Sequence, residues 1–213
     1  MNRQPLFILP AGSLADSLRP DLEKVGITLC LDTASENASK YTYILGGSEG
    51  TGQRPLEAFR ELLEDRTYLI QILNDVTRQN IDVEISTVVI IVGVEKNSGS
   101  SSIACALMPL LKTHPYFKDK LILVLAITQK SKSNSLREQY LAFHSLTFLH
   151  SFSPVILYDN DYRASFNFEQ NSPYAAQNEE IIRILTDLFS NKKSLTRPNL
   201  SNKIWESLNL PPN

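Results

Sequence analysis

Apolar residues fall into short continuous runs separated by longer amphipathic stretches. Pro5–Pro10 (PLFILP), Ile27–Leu31 (ITLCL), Thr87–Val94 (TVVIIVGV), Leu121–Thr128 (LILVLAIT) and Pro154–Tyr158 (PVILY) are almost wholly apolar, and Tyr41–Leu45 (YTYIL) is a weaker run. Continuous instead of alternating hydrophobicity is expected of strands covered on both faces. Between them, Pro55–Gln79 predicts one helix, with Leu56, Phe59, Leu62, Leu63, Leu69, Ile70 and Leu73 favouring one face and Pro55 in its first turn. Ser102–Lys112 predicts a second helix, bent near its end by Pro109; Ser135–Leu149 predicts a third and Tyr174–Ser190 a fourth. Pro20 limits any helix that begins near Ser13. Strand and helix in alternation predict an α/β fold: a doubly wound, mostly parallel sheet with helices on both faces. No repeat or linker divides the chain, so residues 1–208 read as one domain and 209–213 (NLPPN) as a frayed tail.

Such sheets bind ligands outside the carboxyl ends of their strands. The loops that follow the strands are therefore where chemistry is expected. After the first strand, Gly12 lets the backbone approach a ligand, and Ser13 opens a helix whose free amides can hold an anion. The same residues also make an ordinary turn. After Leu45 the chain places Gly46, Gly47, Gly50 and Gly52 in one loop, half of its eight glycines. That loop reads as an anion-binding nest or as a plain surface connection. After Val94, Ser98, Gly99 and Ser100 offer hydroxyls and backbone amides at a helix start, which suits a phosphate cradle and equally an N-cap. Beside them Glu95 would repel a phosphate and Lys96 attract one. After Tyr158 comes Asp159-Asn160-Asp161, and Tyr174 and Asn178 stand four residues apart on one helix face. A Tyr ring can stack on a base and an Asn amide can read its edge; a surface Tyr and Asn is the plain alternative.

Composition narrows the classes. A chain of 213 residues with 42% apolar and 21% charged residues suits a single globular domain. Its formal charge of −2 gives no electrostatic footprint for nucleic acid or an anionic membrane. Cys30 and Cys105 are too few for a disulfide framework. No apolar run is long enough to insert into a membrane, and the amino terminus lacks the core of a signal peptide, so a cytoplasmic location is expected. His114, His144 and His150 are scattered, with no helical metal pair, and read as ordinary surface or satisfied histidines. Neither a nucleophile elbow nor a Walker loop is present. Lys130, Lys132, Lys192 and Lys193 sit in polar stretches and read as solvated. The residues thus indicate no catalytic set and no metal site.

The order of these loops resembles the nucleotide-binding domain of the tubulin/FtsZ superfamily, from about Pro5 to Leu208. Val92–Lys112 (VGVEKNSGSSSIACALMPLLK) is similar to that family's phosphate loop, A-G-x-G-G-G-T-G-[ST]-G, and its following helix. Gly93 matches; Glu95, Lys96 and Asn97 stand where three glycines are expected; Ser98, Gly99 and Ser100 fall on T-G-[ST]; Ser101 replaces the last glycine. Gly46–Pro55 resembles the glycine-rich loop near the γ-phosphate, and Leu123–Thr128 and Leu136–Leu149 the next strand and helix. Tyr158–Asp161 (YDND) resembles the element on the base and ribose side. Tyr174–Asn178 resembles the start of the central helix, where an aromatic and an Asn or Asp hold guanine. Leu195–Leu208 resembles the loop after that helix, R-P-G-L-x-N-x-D-F-x-D, but Ile204 and Ser207 replace its two acids.

The resemblance implies a GTP or GDP site formed by Gly12, Ser13, Gly50, Gly52, Ser98, Gly99, Ser100, Asn160, Tyr174 and Asn178. In the family, the two missing acids position the attacking water on the next subunit's nucleotide, and neither Ile nor Ser replaces a carboxylate there. The resemblance therefore implies a module that binds guanine nucleotide without efficient hydrolysis and acts through protein contacts in a cytoskeletal or division-type assembly. The partner it implies is a full-length tubulin/FtsZ-like protein or further copies of the chain. Two other readings remain: an empty-pocket scaffold, and a GTPase whose acid comes in trans from a partner. The family's second domain is expected to be absent, since the sequence stops at Asn213. Trp205 is expected either in the core or as an anchor for a partner.

Overall fold

The computed structural model describes residues 2–11, 13–34, 42–45, 55–94, 98–128, 135–159 and 175–190. The apolar runs form strands β1 (Asn2–Pro10), β2 (Ile27–Asp32), β3 (Thr42–Ile44), β4 (Val83–Gly93), β5 (Leu121–Thr128) and β6 (Val155–Asp159). They pair in parallel in the order β3-β2-β1-β4-β5-β6. The helices are α1 (Ser13–Leu22), α2 (Pro55–Glu64), α3 (Arg66–Gln79), α4 (Ser98–Thr113), α5 (Leu136–Phe152) and α6 (Ala175–Ser190).

Alternation along each strand divides the core into two layers. Leu6 and Ile8 of β1, Val124 and Ala126 of β5, and Val88, Ile90 and Val92 of β4 face α2 to α5. Phe7 and Leu9, Leu123, Leu125 and Ile127, and Val89 and Ile91 face α1 and α6. A bulge sets this parity: Gln4 pairs with Ile85 but Pro5 with Thr87, so Ser86 is the extra residue, and its hydroxyl donates to the Gln4 carbonyl. Each fully buried Leu, Ile or Phe contributes about 1.5–3 kcal/mol by leaving water. Gly26 lets the turn after α1 press on β1; a Cβ there would lie 2.6 Å from the Pro5 carbonyl oxygen.

The helices depart from the sequence pattern in three places. The expected helix over 55–79 is two helices that meet at Asp65, whose amide ends α2 on Glu61 and whose carbonyl accepts from Tyr68. Asp is a weak helix former that competes for backbone hydrogen bonds, and its charge suits the start of α3. α4 begins at Ser98, four residues before the expected start, and continues through Pro109 to Thr113, whose hydroxyl donates to the Pro109 carbonyl. α1 likewise passes Pro20 and ends at Leu22. α5 starts with a capping box: the Ser135 amide donates to Glu138 Oε2 and the Glu138 amide to Ser135 Oγ. Among the described residues, no helix is long and apolar enough to cross a membrane.

Candidate functional site

The strand order reverses between β1 and β4. From β1 the chain turns to α1 on one face; from β4 it turns to α4 on the other. That divergence leaves a crevice at the carboxyl ends of the two strands, with a helix N-terminus on each side. A helix N-terminus carries a partial positive charge, which favours an anion.

Ala11 leaves β1 with φ at 45°, a left-handed conformation that costs a Cβ-bearing residue about 1–2 kcal/mol. It is held there by burial and by a 2.6 Å hydrogen bond from its amide to the Leu31 carbonyl. On the other side, Gly99 and Ser100 lie buried in the first turn of α4, with Ser101 and Ser102 behind them. Gly93 ends β4, and a Cβ built on it meets nothing within 4 Å. By alternation with Val89 and Ile91, that open space lies on the side covered by α1 and α6.

On the opposite flank, β6 and α6 are joined by Tyr158, whose buried hydroxyl donates to Glu180 Oε2 at 2.6 Å. Asp159 is exposed at the end of β6, and Asn178 is half-buried in the first turn of α6. Beside Asn178, Gln177 is 3% exposed, and its Oε1 has no hydrogen-bond partner among the described residues. Asp32 is a further buried carboxylate at this rim. Its Oδ1 accepts from the Thr33 and Ala34 amides at 2.7 and 3.0 Å, which closes the turn after β2.

The structure thus places Ser13, Ser98, Gly99, Ser100 and Asn178 at helix starts on the carboxyl-end rim, with the side chains of Ser13 and Ser98 not described. Gly12, Gly50, Gly52, Asn160 and Tyr174 lie outside the described residues, as do Glu95, Lys96, Asn97, Trp205, Ile204, Ser207 and the tail 209–213. Lys130, Lys132, Lys192 and Lys193 lie there too. Sequence reasoning missed Ala11, Asp32 and Gln177. Only Gln177 carried a readable signal: it shares a helical stripe with Ile181, Ile184 and Leu188.

The remaining reactive groups lie elsewhere. Cys105 is packed within α4, and burial pushes its thiol pKa up to about 12, so it is not a thiolate at neutral pH. His114 is buried beyond the end of α4: its Nε2 lies 3.2 Å from Asn74 Oδ1, and its Nδ1 accepts from the Tyr116 amide. That fixes the neutral tautomer with its proton on Nε2. His144 and His150 are exposed, and the His144 ring leans on Tyr140. The expectation of ordinary histidines therefore agrees with all three placements.

No protein-family model and no curated protein matches the sequence. Solved structures do match. CetZ2 from Haloferax volcanii, solved as a GTPγS-bound protofilament, superposes over 93% of this chain and 62% of its own, with a TM-score of 0.72 at 19% identity. CetZ1 from Haloferax volcanii, a GDP-bound monomer, superposes over 96% of this chain and 64% of its own, with a TM-score of 0.70 at 17% identity. TubZ of Clostridium botulinum phage c-st gives 92% and 64%, with a TM-score of 0.65 at 14% identity. The chain spans less than two thirds of the length of each. Six parallel strands in switch-point order, matched across nearly the whole chain, establish a tubulin/FtsZ-like α/β fold.

Proposed function

We propose that the chain binds a guanine nucleotide, GTP or GDP, in the crevice between the ends of β1 and β4. It does so without efficient hydrolysis, and acts through protein contacts in a cytoplasmic assembly of the cytoskeletal or division type. The observation that carries this reading is the open space at Gly93, flanked by the N-termini of α1 and α4. A polyphosphate meets backbone amides and two helix dipoles there, with no side chain in its way from β4. Ser98, Gly99 and Ser100 would contact phosphate from α4, with Gly12, Ser13, Gly50 and Gly52 closing over it. Tyr174, Asn178 and Asn160 would hold the base. That CetZ2 was solved with GTPγS and CetZ1 with GDP supports the choice of ligand.

The reading of slow hydrolysis rests on Ile204 and Ser207, which stand where the resembling family carries acids. The reading of protein contacts draws on α5. Its outward face exposes Leu136, Tyr140 and Phe143, spaced one and two turns apart, an apolar stripe of the kind that marks interaction surfaces. That CetZ2 was solved as a protofilament supports self-assembly or assembly with a full-length relative.

Nucleotide content of the freshly purified protein, and calorimetry with GTP and GDP, test the site. Binding should vanish in Gly93→Val while the melting temperature is kept, because the added side chain enters open space. No affinity of the wild type at millimolar nucleotide would overturn the reading in favour of an empty scaffold. Phosphate release that appears only with a full-length tubulin/FtsZ-like partner would instead show that hydrolysis is completed in trans. Sedimentation with and without GTP tests assembly.

A further inference from the structure

We infer that the outward face of α5 is where two copies of this chain pair, antiparallel, about a twofold axis that passes between Phe143 and His144. The inference rests on the reading of α5 as a contact surface and names what covers it.

Ala142 and Leu149 are buried on the inward side of α5, and Leu146, Phe148 and Phe152 pack partly into the core beside them. At about 100° per residue, the opposite side is centred on Leu136, Tyr140, Phe143, His144, Thr147 and Ser151, all exposed. Leu136, Tyr140 and Phe143 are 84%, 63% and 65% exposed. The Tyr140 and Phe143 rings lie against the His144 ring, at centroid distances of 4.1 and 5.9 Å, so they lose little freedom on docking. Thr147 and Ser151 donate their hydroxyls back to the Phe143 and Phe148 carbonyls, so covering them strands no donor. A helix that is apolar on both sides is normally buried on both. β6, the edge strand that α5 touches, also exposes Leu157 on the side where Val155 packs with α5.

Charge and spacing indicate the occupant. From Gln139 to Ser153 the chain carries no Asp, Glu, Lys or Arg, whereas α2, α3 and α6 expose charges such as Glu61, Arg78 and Arg183. A partner recognised through charge finds nothing to read along this stretch; a second copy meets it without like-charge repulsion. The six central positions are separated by 4, 3, 1, 3 and 4 residues, a spacing that is the same from either end. A twofold axis through its middle sets Leu136 against Ser151 of the second copy, Tyr140 against Thr147 and Phe143 against His144. A larger side chain then meets a smaller one at each level, which lets the two faces interdigitate. The axis reverses the second copy, so the carboxyl-end rims of the two sheets point in opposite directions. α5 is about 25 Å long, so the pair buries less than the roughly 1,600 Å² of a standard stable interface and is reversible.

Sedimentation velocity of the full chain without added nucleotide reads the pairing. The wild type should pass reversibly from the 24.0 kDa monomer towards twice that mass as concentration rises. Phe143→Glu should stay monomeric and keep its melting temperature, because the side chain is exposed and the new charge meets its own copy at the axis. A short bismaleimide should join His144→Cys to its own copy. It should not join Leu136→Cys, whose two positions lie about 22 Å apart along the pair. Cys30 and Cys105 are buried, so the wild type is the unlinked control. A wild type that is monomeric throughout overturns the inference. Binding of a full-length tubulin/FtsZ-like partner to the wild type and not to Phe143→Glu would then keep α5 as a contact surface for that partner; no binding would overturn both readings. A dimer that survives Phe143→Glu, or that links at Leu136→Cys and not at His144→Cys, also overturns it.

Discussion

At the amino end of the sheet, His114, Tyr116 and Glu84 are matched within the chain, although the buried hydroxyl of Thr28 in β2 has no hydrogen-bond partner among the described residues. His114 is fixed between Asn74 and the Tyr116 amide, and the Ile85 amide donates to the Tyr116 hydroxyl. Glu84 bonds to Arg3 at 2.9 Å and lies 3.6 Å from Lys120, and the Arg3 hydrogen bond first of all holds its carboxyl below the usual range. At the carboxyl end, Ala11 holds a left-handed backbone, Gly93 faces open space, and Gln177 keeps an oxygen with no partner among the described residues. One end spends its chemistry on closing the fold. The other holds a strained backbone beside open space, which stability alone does not explain. Stability and ligand affinity should therefore respond to opposite ends of the molecule.

The largest separation is expected from Phe117→Ala. Phe117 is wholly buried, with its ring against Tyr116 and His114 at centroid distances of 5.1 and 5.0 Å. Truncation should cost about 3–5 kcal/mol of unfolding free energy, measured by urea denaturation. Nucleotide affinity of the folded fraction should not change. A parallel loss of affinity would show that the two ends are coupled and break the comparison.

The sheet was readable in the sequence because strands buried on both faces are written as unbroken apolar runs. β1 and β4 start earlier than their runs, since Asn2, Arg3 and Gln4 in one and Glu84 and Ser86 in the other hide the first residues, and the bulge at Ser86 is set by pairing with β1. The break at Asp65 was not readable, because Leu62 and Leu69 fit one helical stripe as well as two. Nor was the early start of α4: serines are indifferent helix formers, and packing against the sheet decides. At the rim, Gly99, Ser100 and Asn178 stand at helix starts, which the sequence pattern also predicts for them. Ala11 was missed because only glycine advertises a positive φ in sequence, and Gln177 because an amide beside Asn178 looks like surface until the stripe it shares is traced.

A smaller effect at the amino end comes from Asn74→Ala, which removes the partner of His114 Nε2. It should cost about 1–2 kcal/mol. Burial lowers the His114 pKa, so the folded state favours the neutral ring. The unfolded chain takes up that proton near pH 6.5. The stabilisation is therefore present above that pH and is lost as pH falls through the lower folded value. Glu84, also lowered, loses its share only at more acidic pH, where carboxylates titrate. Urea midpoints between pH 7.5 and 5 should fall in the wild type and much less in His114→Gln. Equal slopes would assign the pH response to other groups.

The smallest effect has the opposite sign and lies at the other end. Ala11→Gly removes the Cβ that makes a φ of 45° costly and leaves the amide free to keep its bond to Leu31. Glycine gives back part of that gain through the greater freedom of the unfolded chain. The net should be a stabilisation of about 0.5–1 kcal/mol, read from urea midpoints. Affinity for GDP should fall or stay level, because a backbone held in position by its surroundings is replaced by one that can relax away from the crevice. A destabilised variant would mean that the Ala11 methyl packs usefully in the core, and the rim would then differ from the amino end less than its geometry implies.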